Sequence, residues 1–297
     1  MKELVLISGK GGTGKTSIAA SFATLSDSVT IADCDVDAAN LHLVLTPSPS
    51  ASGSFAGGSV AVIDQSVCSL CGRCLEVCRF DAVRRKAASR DGSRTPLSID
   101  PMACEGCGAC SIACPCDAIR LEDVETGRWF VSDTRAGPMV HADLAAGREN
   151  SGKLVTVVRS RAATVARARG TDLLLSDGPP GIGCPVIASI TGADLALIVT
   201  EPTTAAAHDL ERVLELTERL NVPAAVAVNR WDLNESAAEA LDAWCSERSL
   251  PVLGRIPYDE SITRAQMNCL TVTEYSNGPA SKAIETLWHR TTSLLNT

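Results

Sequence analysis

The chain has 297 residues, of which 45% are hydrophobic and 21% are charged, and its formal net charge is −8. That acidity argues against a protein devoted to nucleic acid, which needs a basic surface. No apolar run reaches the length of a bilayer span, and the chain enters a strand at once, so a cytoplasmic protein without a signal peptide is expected. In such a protein, thirteen cysteines indicate metal binding rather than disulfides.

The first predicted elements are a strand over residues 4–8 and a helix over residues 16–25, joined by a glycine-rich loop. This loop fits the phosphate-loop pattern of a glycine, four residues and Gly-Lys-Thr. Glycines allow backbone N–H groups to close around phosphate oxygens at the start of a helix. Lys15 is expected to neutralise the β- and γ-phosphates, and Thr16 to ligate Mg²⁺. The predicted nucleotide contacts here are Gly9, Lys10, Gly11, Gly12, Thr13, Gly14, Lys15, Thr16 and Ser17.

A lysine directly after the first glycine gives the loop a second feature. The run from Lys10 to Thr16 resembles the deviant phosphate loop of the MinD/ParA/Mrp superfamily, which includes the iron protein of nitrogenase. The resemblance implies that Lys10 reaches across a dimer to the phosphates on the partner, so Lys10 joins Lys15 among the predicted catalytic residues. A solvated loop lysine is the alternative.

An acidic segment ends the second predicted strand, which covers residues 29–32. Asp33-Cys34-Asp35, followed by Asn40-Leu41, resembles the first switch of the same superfamily. The resemblance implies that Asp35 orients the attacking water and that Asp33 lies near Mg²⁺. Acidic residues also favour strand-end turns without any chemistry. Residues 46–59, rich in Pro, Ser, Gly and Ala, are predicted to form a linker.

Two cysteine runs come after the predicted linker, each with the spacing of bacterial ferredoxins. In that pattern three closely spaced thiolates bind one cubane, and the fourth cysteine reaches the other. The predicted [4Fe-4S] ligands are therefore Cys68, Cys71, Cys74 and Cys114 for one cluster, and Cys104, Cys107, Cys110 and Cys78 for the second. Zinc is the main alternative, although zinc modules usually use separated Cys-x2-Cys pairs.

The segments after the two runs echo each other, which predicts an internal twofold repeat: residues 80–83 read Phe-Asp-Ala-Val and residues 116–119 read Cys-Asp-Ala-Ile. Arg79 comes after the fourth cysteine of the first run, where the ferredoxin pattern has proline. Two interpretations stay open: a cation there raises the potential of the cluster that Cys78 ligates, or Arg79 is only tolerated at this position. The connection at residues 84–102 is longer than in a minimal ferredoxin and is expected to be exposed, with a contact to a partner as the alternative.

The chain then returns to the ATPase pattern, with a buried strand predicted over residues 154–158 and a helix over 159–169. The next strand, residues 172–177, ends in Asp177 and Gly-Pro-Pro-Gly. This is a Walker B arrangement, in which Asp177 holds a Mg²⁺-bound water. The same segment resembles the superfamily's second switch, whose backbone near Gly181 senses the γ-phosphate.

Two further strands are predicted over residues 195–200 and 224–228, with a helix over 205–220 between them. Asn229 resembles the superfamily's adenine-reading asparagine, and Pro257 falls in a stretch that resembles the loop beneath the base. The run from Asn229 to Asp232 also resembles a guanine-reading motif, so GTP stays a second candidate beside ATP. A terminal helix over 281–295 is not markedly basic, which argues against a MinD-type membrane anchor.

Two single residues invite functional interpretations. His141 comes after an apolar residue, and a structural role is expected for it rather than acid–base chemistry. Cys184 lies as far beyond Asp177 as a cluster-binding cysteine lies beyond the switch aspartate of the nitrogenase iron protein. A buried structural thiol is nevertheless the expected role, because no second cysteine matches that site.

Alternating strands and helices predict an α/β fold with a doubly wound, mostly parallel sheet. The resemblance to the MinD/ParA/Mrp superfamily implies a P-loop NTPase of the SIMIBI type. The predicted ATPase domain covers residues 1–59 and 123–297, and a small α+β ferredoxin-like domain is inserted at 60–122.

The resemblance implies ATP, Mg²⁺ and two [4Fe-4S] clusters as cofactors. It also implies a nucleotide-dependent homodimer, or a heterodimer with a paralogue, and a redox or acceptor protein as partners, without membrane or nucleic acid. The leading hypothesis is ATP-dependent electron transfer. The alternatives are an iron–sulfur carrier or assembly ATPase of Mrp type and a ParA/MinD-like positioning switch.

Overall fold

The computed structural model describes residues 1–85, 95–145 and 152–297. Its strands, in chain order, are β1 (Lys2–Ser8), β2 (Val29–Asp33), β3 (Ser48–Ile63), β4 (Val83–Arg85), β5 (Leu97–Ile99), β6 (Ile119–Thr134), β7 (Gly137–Leu144), β8 (Leu173–Pro180), β9 (Leu195–Thr200), β10 (Ala224–Asn229) and β11 (Val252–Ile256). Its α-helices are α1 (Lys15–Leu25), α2 (Leu41–Leu45), α3 (Arg73–Val77), α4 (Ala109–Ile112), α5 (Lys153–Arg169), α6 (Cys184–Ile190), α7 (Ala206–Arg219), α8 (Glu235–Glu247), α9 (Glu260–Met267), α10 (Val272–Tyr275) and α11 (Pro279–Leu295). Within the described ranges, no helix is both long enough and apolar enough to cross a membrane.

The chain divides into two compact units. The first contains Met1–Gly53, Trp129–Leu144 and Asn150–Thr297, and the second contains Ser54–Arg128 and Ala145–Glu149. The predicted domain borders lie at residues 59 and 122 instead, a few positions away from these divisions. Whether the second unit is a ferredoxin domain stays a prediction. Residues 86–94 of the predicted exposed connection lie outside the described residues.

The larger sheet of the described residues has the strand order β11-β10-β9-β1-β8-β2-β7-β6-β3, and its strands from β11 to β7 belong to the first unit. Every pair from β11 to β7 is parallel. Neighbours in the sheet are therefore not neighbours in sequence, and helices make the crossovers. The predicted mostly parallel α/β sheet is confirmed.

Two apolar layers hold this sheet, one on each face. Successive residues of a strand point to opposite faces. Leu4 and Leu6 accordingly pack in the layer that contains α1, α2 and α11, while Val5 and Ile7 pack in the layer of α6, α7 and α8. The carboxyl ends of the parallel strands lie at one edge of this sandwich, where ligands of such folds bind.

Two sequence predictions about secondary structure are wrong. Residues 154–158 are not a strand but the first turns of α5, whose buried positions Leu154, Val158 and Ala162 recur every four residues. Val-rich composition favoured a strand, but a strand there would lose this helical packing face. One of the strands that the prediction missed is β7, which pairs with β2.

The predicted linker at residues 46–59 is also wrong, because most of it belongs to β3. Glycine and serine mark a linker in sequence, but here they make room for neighbouring side chains. A Cβ added to Gly57 would lie 2.3 Å from the Phe55 ring and 2.7 Å from Thr126 Oγ1. Small residues in this strand thus reflect close packing rather than flexibility.

The second unit has its own core, in which Cys74, Cys104 and Cys110 pack with Val83 and Leu97. Strands β4 and β5 form an antiparallel pair in it. The predicted repeat is visible in the backbone, since α3 and α4 both begin after a left-handed glycine, Gly72 (φ 83°) and Gly108 (φ 77°).

The two halves of the repeat also exchange hydrogen bonds. The Asp64 N–H donates to the Ala118 carbonyl at 2.7 Å, and the Asp100 N–H donates to the Ala82 carbonyl at 2.8 Å. Asp64 and Asp100 hold matching positions, as do Ala82 and Ala118. Each half is therefore completed by the end of the other half.

Candidate functional site

The phosphate loop lies between β1 and α1 and bends through two left-handed glycines, Gly12 (φ 82°) and Gly14 (φ 85°). Gly14 is the N-cap of α1. A Cβ at Gly14 would lie 2.3 Å from Asn229 Nδ2, so only glycine fits there. The loop thereby directs backbone N–H groups and the start of α1 toward a single pocket.

This pocket has a volume of about 490 Å³, within the range of small-molecule sites. Its lining includes the following predicted residues: Gly11, Gly12, Thr13, Gly14, Lys15, Thr16, Ser17, Asp35 and Asn229. The other predicted residues of the nucleotide site do not line it: Gly9, Lys10, Asp33, Asp177 and Pro257. The structure thus places most of the predicted residues in the pocket lining, whereas the others do not line the pocket.

Lys15 joins the loop to the two predicted switches. Its Nζ donates to Asp177 Oδ1 at 2.6 Å and lies 3.6 Å from Asp35 Oδ2. Burial acts to lower the pKa of Lys15, but the carboxylates of Asp177, Asp35 and Asp33 together outweigh burial and raise that pKa, so the side chain stays a cation. Asp33 lies opposite Asp177 in the β2–β8 pair. Burial and then the Asp177 charge raise the pKa of Asp33.

Orphaned oxygens beside Lys15 test whether a hydrated Mg²⁺ fits this site. Among the described residues, Asp33 Oδ2 and Asp177 Oδ2 are buried without any hydrogen-bond partner. Buried carboxylate oxygens rarely stay unsatisfied in folded proteins, and they are the ligands that Mg²⁺ prefers. Thr16, which lines the pocket, adds a hydroxyl. This donor set fits Mg²⁺ held directly or through water.

Asn229 supports the phosphate loop. Its Nδ2 donates to the Thr13 carbonyl at 2.8 Å, and its Oδ1 accepts the Arg230 N–H at 3.0 Å. The side chain is buried although it reaches the pocket wall. Its predicted base-reading role stays a prediction, and the loop contact is a function that sequence comparison did not anticipate.

Lys10 points away from its own pocket. Its Nζ lies 3.4 Å from Glu201 Oε2 and donates to Thr203 Oγ1 at 3.3 Å. Glu201 also pairs with Arg230 at 2.5 Å, and Arg230 donates to the Gly12 carbonyl at 3.3 Å. The Lys10 ammonium is thus held at the edge of the loop, and its role across a dimer stays a prediction.

Several pocket residues were missed in sequence. Leu43 and Val44 come from α2, Tyr258 lies just after β11, and Gln266 comes from α9. Gln266 Nε2 donates to Ser17 Oγ at 2.8 Å. The position of Tyr258 just beyond a strand end was a usable signal, because such positions face the ligand edge. Nothing in the sequence marks Gln266.

The predictions for the single residues His141 and Cys184 differ in how they compare with the structure. His141 lies 3.0 Å from Ser132 Oγ and stacks on Phe130 with centroids 5.1 Å apart. Burial lowers the pKa of His141, which keeps the ring neutral, and this placement agrees with the structural role predicted for it. Cys184 begins α6 and is exposed, so the expected buried thiol is wrong.

The second unit places cysteines of different runs together. We define the first cysteine set as Cys68, Cys71, Cys74 and Cys114, and the second cysteine set as Cys78, Cys104, Cys107 and Cys110. All four members of the second set line one small pocket. In the first set, Cys68 and Cys114 pack against the same core that contains Cys74. The fourth cysteine of the first run therefore lies with the three of the second run.

The chemistry of the donors tests whether these sets fit iron–sulfur clusters. In the described parts of the chain, no three or more His, Cys, Asp or Glu side chains converge as ligands of one metal ion would. Thiolates around a cubane bind different irons, so they stand farther apart than the ligands of one ion. Four cysteines around one pocket are the donor set that a [4Fe-4S] cluster takes.

Backbone N–H groups add to this fit. Ala61 N donates to Cys104 Sγ at 3.5 Å, and Ala118 N donates to Cys114 Sγ at 3.3 Å. Burial acts to raise the pKa of Cys78, but the N–H groups of Phe80, Val83 and Ala82 lower that pKa below its usual value. Such donors favour the thiolate, which is the form that binds metal.

Comparison with known proteins agrees with the fold. Residues 4–272 match the CbiA family model, described as the CobQ/CobB/MinD/ParA nucleotide binding domain. An uncharacterized protein of Methanocaldococcus jannaschii is 30% identical over 292 residues, which cover 97% of this chain and 95% of the relative.

Two solved MinD structures resemble the chain at low sequence identity. The cell division ATPase MinD of Pyrococcus furiosus aligns with a TM-score of 0.58 at 18% identity and covers 99% of both chains. The septum site-determining protein MinD of Pyrococcus horikoshii, complexed with Mg-ADP, aligns with a TM-score of 0.59 at 16% identity and covers 99% of this chain and 96% of that one. At these identities the likeness concerns the fold. The match of the family model to residues 4–272 shows that the chain belongs to the CobQ/CobB/MinD/ParA nucleotide-binding domain family.

Proposed function

We propose that the protein hydrolyses ATP and couples a nucleotide-dependent dimer switch to electron transfer through two [4Fe-4S] clusters. The observation that carries the proposal is the presence in one chain of a phosphate-loop pocket and of a pocket lined by the four cysteines of the second set. A nucleotide site alone would serve any ATPase of this family. The two cysteine sets are the feature that indicates electron transfer.

On the nucleotide side, the loop N–H groups and Lys15 bind the phosphates, and Asp35 positions the water that attacks the γ-phosphate. Mg²⁺, when bound near Thr16, Asp33 and Asp177, neutralises charge that develops on the phosphates. Asp232, which the GTP alternative needs, does not line the pocket and instead accepts the Tyr258 N–H at 2.7 Å. This contact favours ATP over GTP.

On the cysteine side, each cluster would accept one electron from a low-potential one-electron donor protein and pass it to a one-electron acceptor protein. The chain's part is to hold the thiolates and tune their surroundings. Cys71 and Cys107 are the exposed members of the two sets, which leaves one edge of each site open to a partner.

The dimer switch is the third part of the proposal. Lys10 is held by Glu201 and Thr203 outside its own pocket, where its charge does nothing for its own nucleotide. A second chain would give that charge a phosphate to bind. Closure of two chains on ATP and opening after hydrolysis would then change access to the redox partner.

The test is the ATPase rate of anaerobically prepared full-length protein with its clusters first oxidised and then reduced by dithionite. Iron and acid-labile sulfide, about eight of each per chain, establish that both clusters are present. We expect the rate to depend on redox state, and we expect Lys10→Ala to lower it about a hundredfold. Lys2→Ala, a surface lysine of the first unit, is the matched control and should leave the rate unchanged.

A rate that is identical in both redox states would overturn the coupling. If the protein then delivers its cluster to an apo-protein, it is a carrier of Mrp type. If it instead binds DNA or vesicles in an ATP-dependent manner, it is a positioning switch. Zinc in place of iron would remove the electron-transfer proposal altogether.

A further inference from the structure

The repeat in the second unit allows the surroundings of the two cysteine sets to be compared position by position. Gly72 is next to Cys71 in the first set, and Gly108 is next to Cys107 in the second, each at the start of its helix. Asp81 and Asp117 match as well, with left-handed φ values of 50° and 51°. A difference at matched positions is therefore a difference between two otherwise equivalent sites. Such a difference affects electron transfer only when both clusters are bound, so its interpretation rests on the proposed function.

The first difference lies beside the two glycines. An ideal Cβ at Gly72 would lie 3.1 Å from Arg85 Nη2, whereas one at Gly108 would lie 3.6 Å from Leu121 Cδ1. Arg85 and Leu121 occupy matching positions of the repeat. A guanidinium therefore stands beside the first cysteine set at the place where a methyl group stands beside the second.

The second difference lies between the first two cysteines of each run, where Ser69 matches Glu105. The Ser69 hydroxyl accepts the Cys116 thiol at 3.1 Å, and the Arg73 N–H and then the Ser69 hydroxyl act as donors that lower the pKa of Cys71. Glu105, in contrast, lines the pocket of the second cysteine set. A hydroxyl donor thus serves one set, and a carboxylate borders the other.

Of the other charges nearby, Arg73 adds a cation on the side of the first set, because it begins α3 two residues after Cys71 and matches Ala109. Arg84 and Arg120 hold matching positions, so they do not distinguish the sets. Arg79 is next to Cys78 but does not line the pocket of the second set, and its side chain is exposed. Glu76, on α3, is exposed too. Arg85, Ser69 and Glu105 are exposed too, but they lie beside the cysteine sets, and because charge effects weaken with distance they decide the sign.

We propose that Arg85 and Ser69 make the first cysteine set the stronger electron acceptor, while Glu105 and Leu121 leave the second set the weaker one. Reduction by one electron from a donor takes a [4Fe-4S] core from the 2+ to the 1+ state and adds one negative charge to the site. A nearby cation and a hydrogen bond to a ligand sulfur stabilise that charge, and a nearby carboxylate opposes it. The first electron therefore enters at the first set.

The test is a potentiometric titration of the anaerobically reconstituted full chain, monitored by electron paramagnetic resonance. We expect two midpoint potentials in the wild type. Arg85→Leu, which copies Leu121 onto the first set, should lower the higher potential and leave the lower one in place. Leu121→Arg, which copies Arg85 onto the second set, should raise the lower potential. Both positions are exposed, so both variants should fold.

Arg219→Leu removes an exposed arginine of α7 in the first unit and controls for a general loss of charge, so it should shift neither potential. Iron and sulfide contents separate the two ways of failing. A chain that takes up no [4Fe-4S] cluster overturns the proposed function and this inference together. Full occupancy with potentials unmoved by Arg85→Leu and Leu121→Arg, or moved in the opposite directions, overturns this inference alone.

Discussion

Asn229 supports the phosphate loop and is also predicted to read the base, and one substitution distinguishes these two roles. Its amide donates to the Thr13 carbonyl of the phosphate loop at 2.8 Å. If Asn229→Ala loosens the loop, it should weaken the binding of ATP and of GTP by similar factors. We expect a loss of about tenfold in affinity, which corresponds to one buried hydrogen bond. Calorimetric Kd values for both nucleotides decide the matter. A loss confined to ATP would instead identify Asn229 as a base-reading residue only.

Lys15 is the one cation that Asp177 and Asp35 contact among the described residues. Lys15→Met should therefore destabilise the nucleotide-free protein by about 3 kcal/mol, because it leaves buried carboxylates without their partner. Chemical denaturation measures this loss. The double variant Lys15→Met/Asp177→Asn should recover much of it, since the carboxylate that lost its partner is then neutral. A double variant no more stable than Lys15→Met would show that packing, not charge, explains the effect.

The site residues that sequence predicted are those that sit in contiguous motifs. Lys15, Asp35 and Asp177 each come after an apolar strand, so their meeting at one edge of the sheet could be foreseen. Gln266 could not be, because it reaches the pocket from α9, whose sequence carries no phosphate-binding pattern. The loop contact of Asn229 was equally hidden, since it depends on the distance between β10 and the loop.

At the scale of elements, the misassigned segments show where local pattern is weakest. The Val-rich start of α5 suits a strand or a helix, and only packing against β2 and β7 decides between them. The small residues of β3 suit a linker or a tightly packed strand, and the ring of Trp129 beside Gly53 decides for the strand. Tertiary contacts determine the secondary structure of both segments, and a short stretch of sequence does not contain those contacts.

The short helix α10 owes its position to a carboxylate. Glu274 completes a capping box with Thr271 and pairs with Arg135, whose Nε donates to it at 2.6 Å. Arg135 also donates to the Val44 carbonyl in α2 at 2.9 Å, so this network joins α10 to a wall of the nucleotide pocket. The Arg135 hydrogen bond lowers the pKa of Glu274 from 4.5 to about 2.

The sign of the pH dependence is set by that lowered pKa. Glu274 stabilises the fold fully above its unfolded pKa of 4.5, and this contribution is lost as pH falls toward 2. Glu274→Gln should cost about 1–2 kcal/mol at pH 7, allowing for partial exposure. The difference from wild type should shrink below about pH 4.5. Paired denaturation curves at pH 7 and pH 4 test it, and a constant difference would contradict it.

At the scale of the whole molecule, each unit has a core of its own. Among the described residues, the two large apolar clusters of the first unit contain no residue of the second unit, and the cysteine-rich cluster contains none of the first. Gly53 and Trp129, which border the insertion, are in contact, since a Cβ at Gly53 would lie 2.4 Å from the Trp129 ring. A tight turn could therefore join them.

A chain in which a short Asn-Gly turn replaces residues 54–128 should accordingly fold and bind ATP with a Kd within about threefold of the full chain. It should contain no iron. Thermal unfolding with and without nucleotide, beside calorimetry, measures both properties. Loss of nucleotide binding in a variant that still unfolds cooperatively would show that the second unit supports the nucleotide pocket directly.

The crossed hydrogen bonds of the repeat bear on how the second unit would take up the two proposed clusters. Because Asp64 bonds to Ala118 and Asp100 to Ala82, neither half can close around a cluster before the other is in place. Loading should therefore be all-or-none. Native mass spectra of chains given limiting iron and sulfide should show apo-protein and doubly loaded protein side by side, with few singly loaded chains between them. In a cell short of iron, such a protein would exist as fewer complete molecules rather than as many half-filled ones.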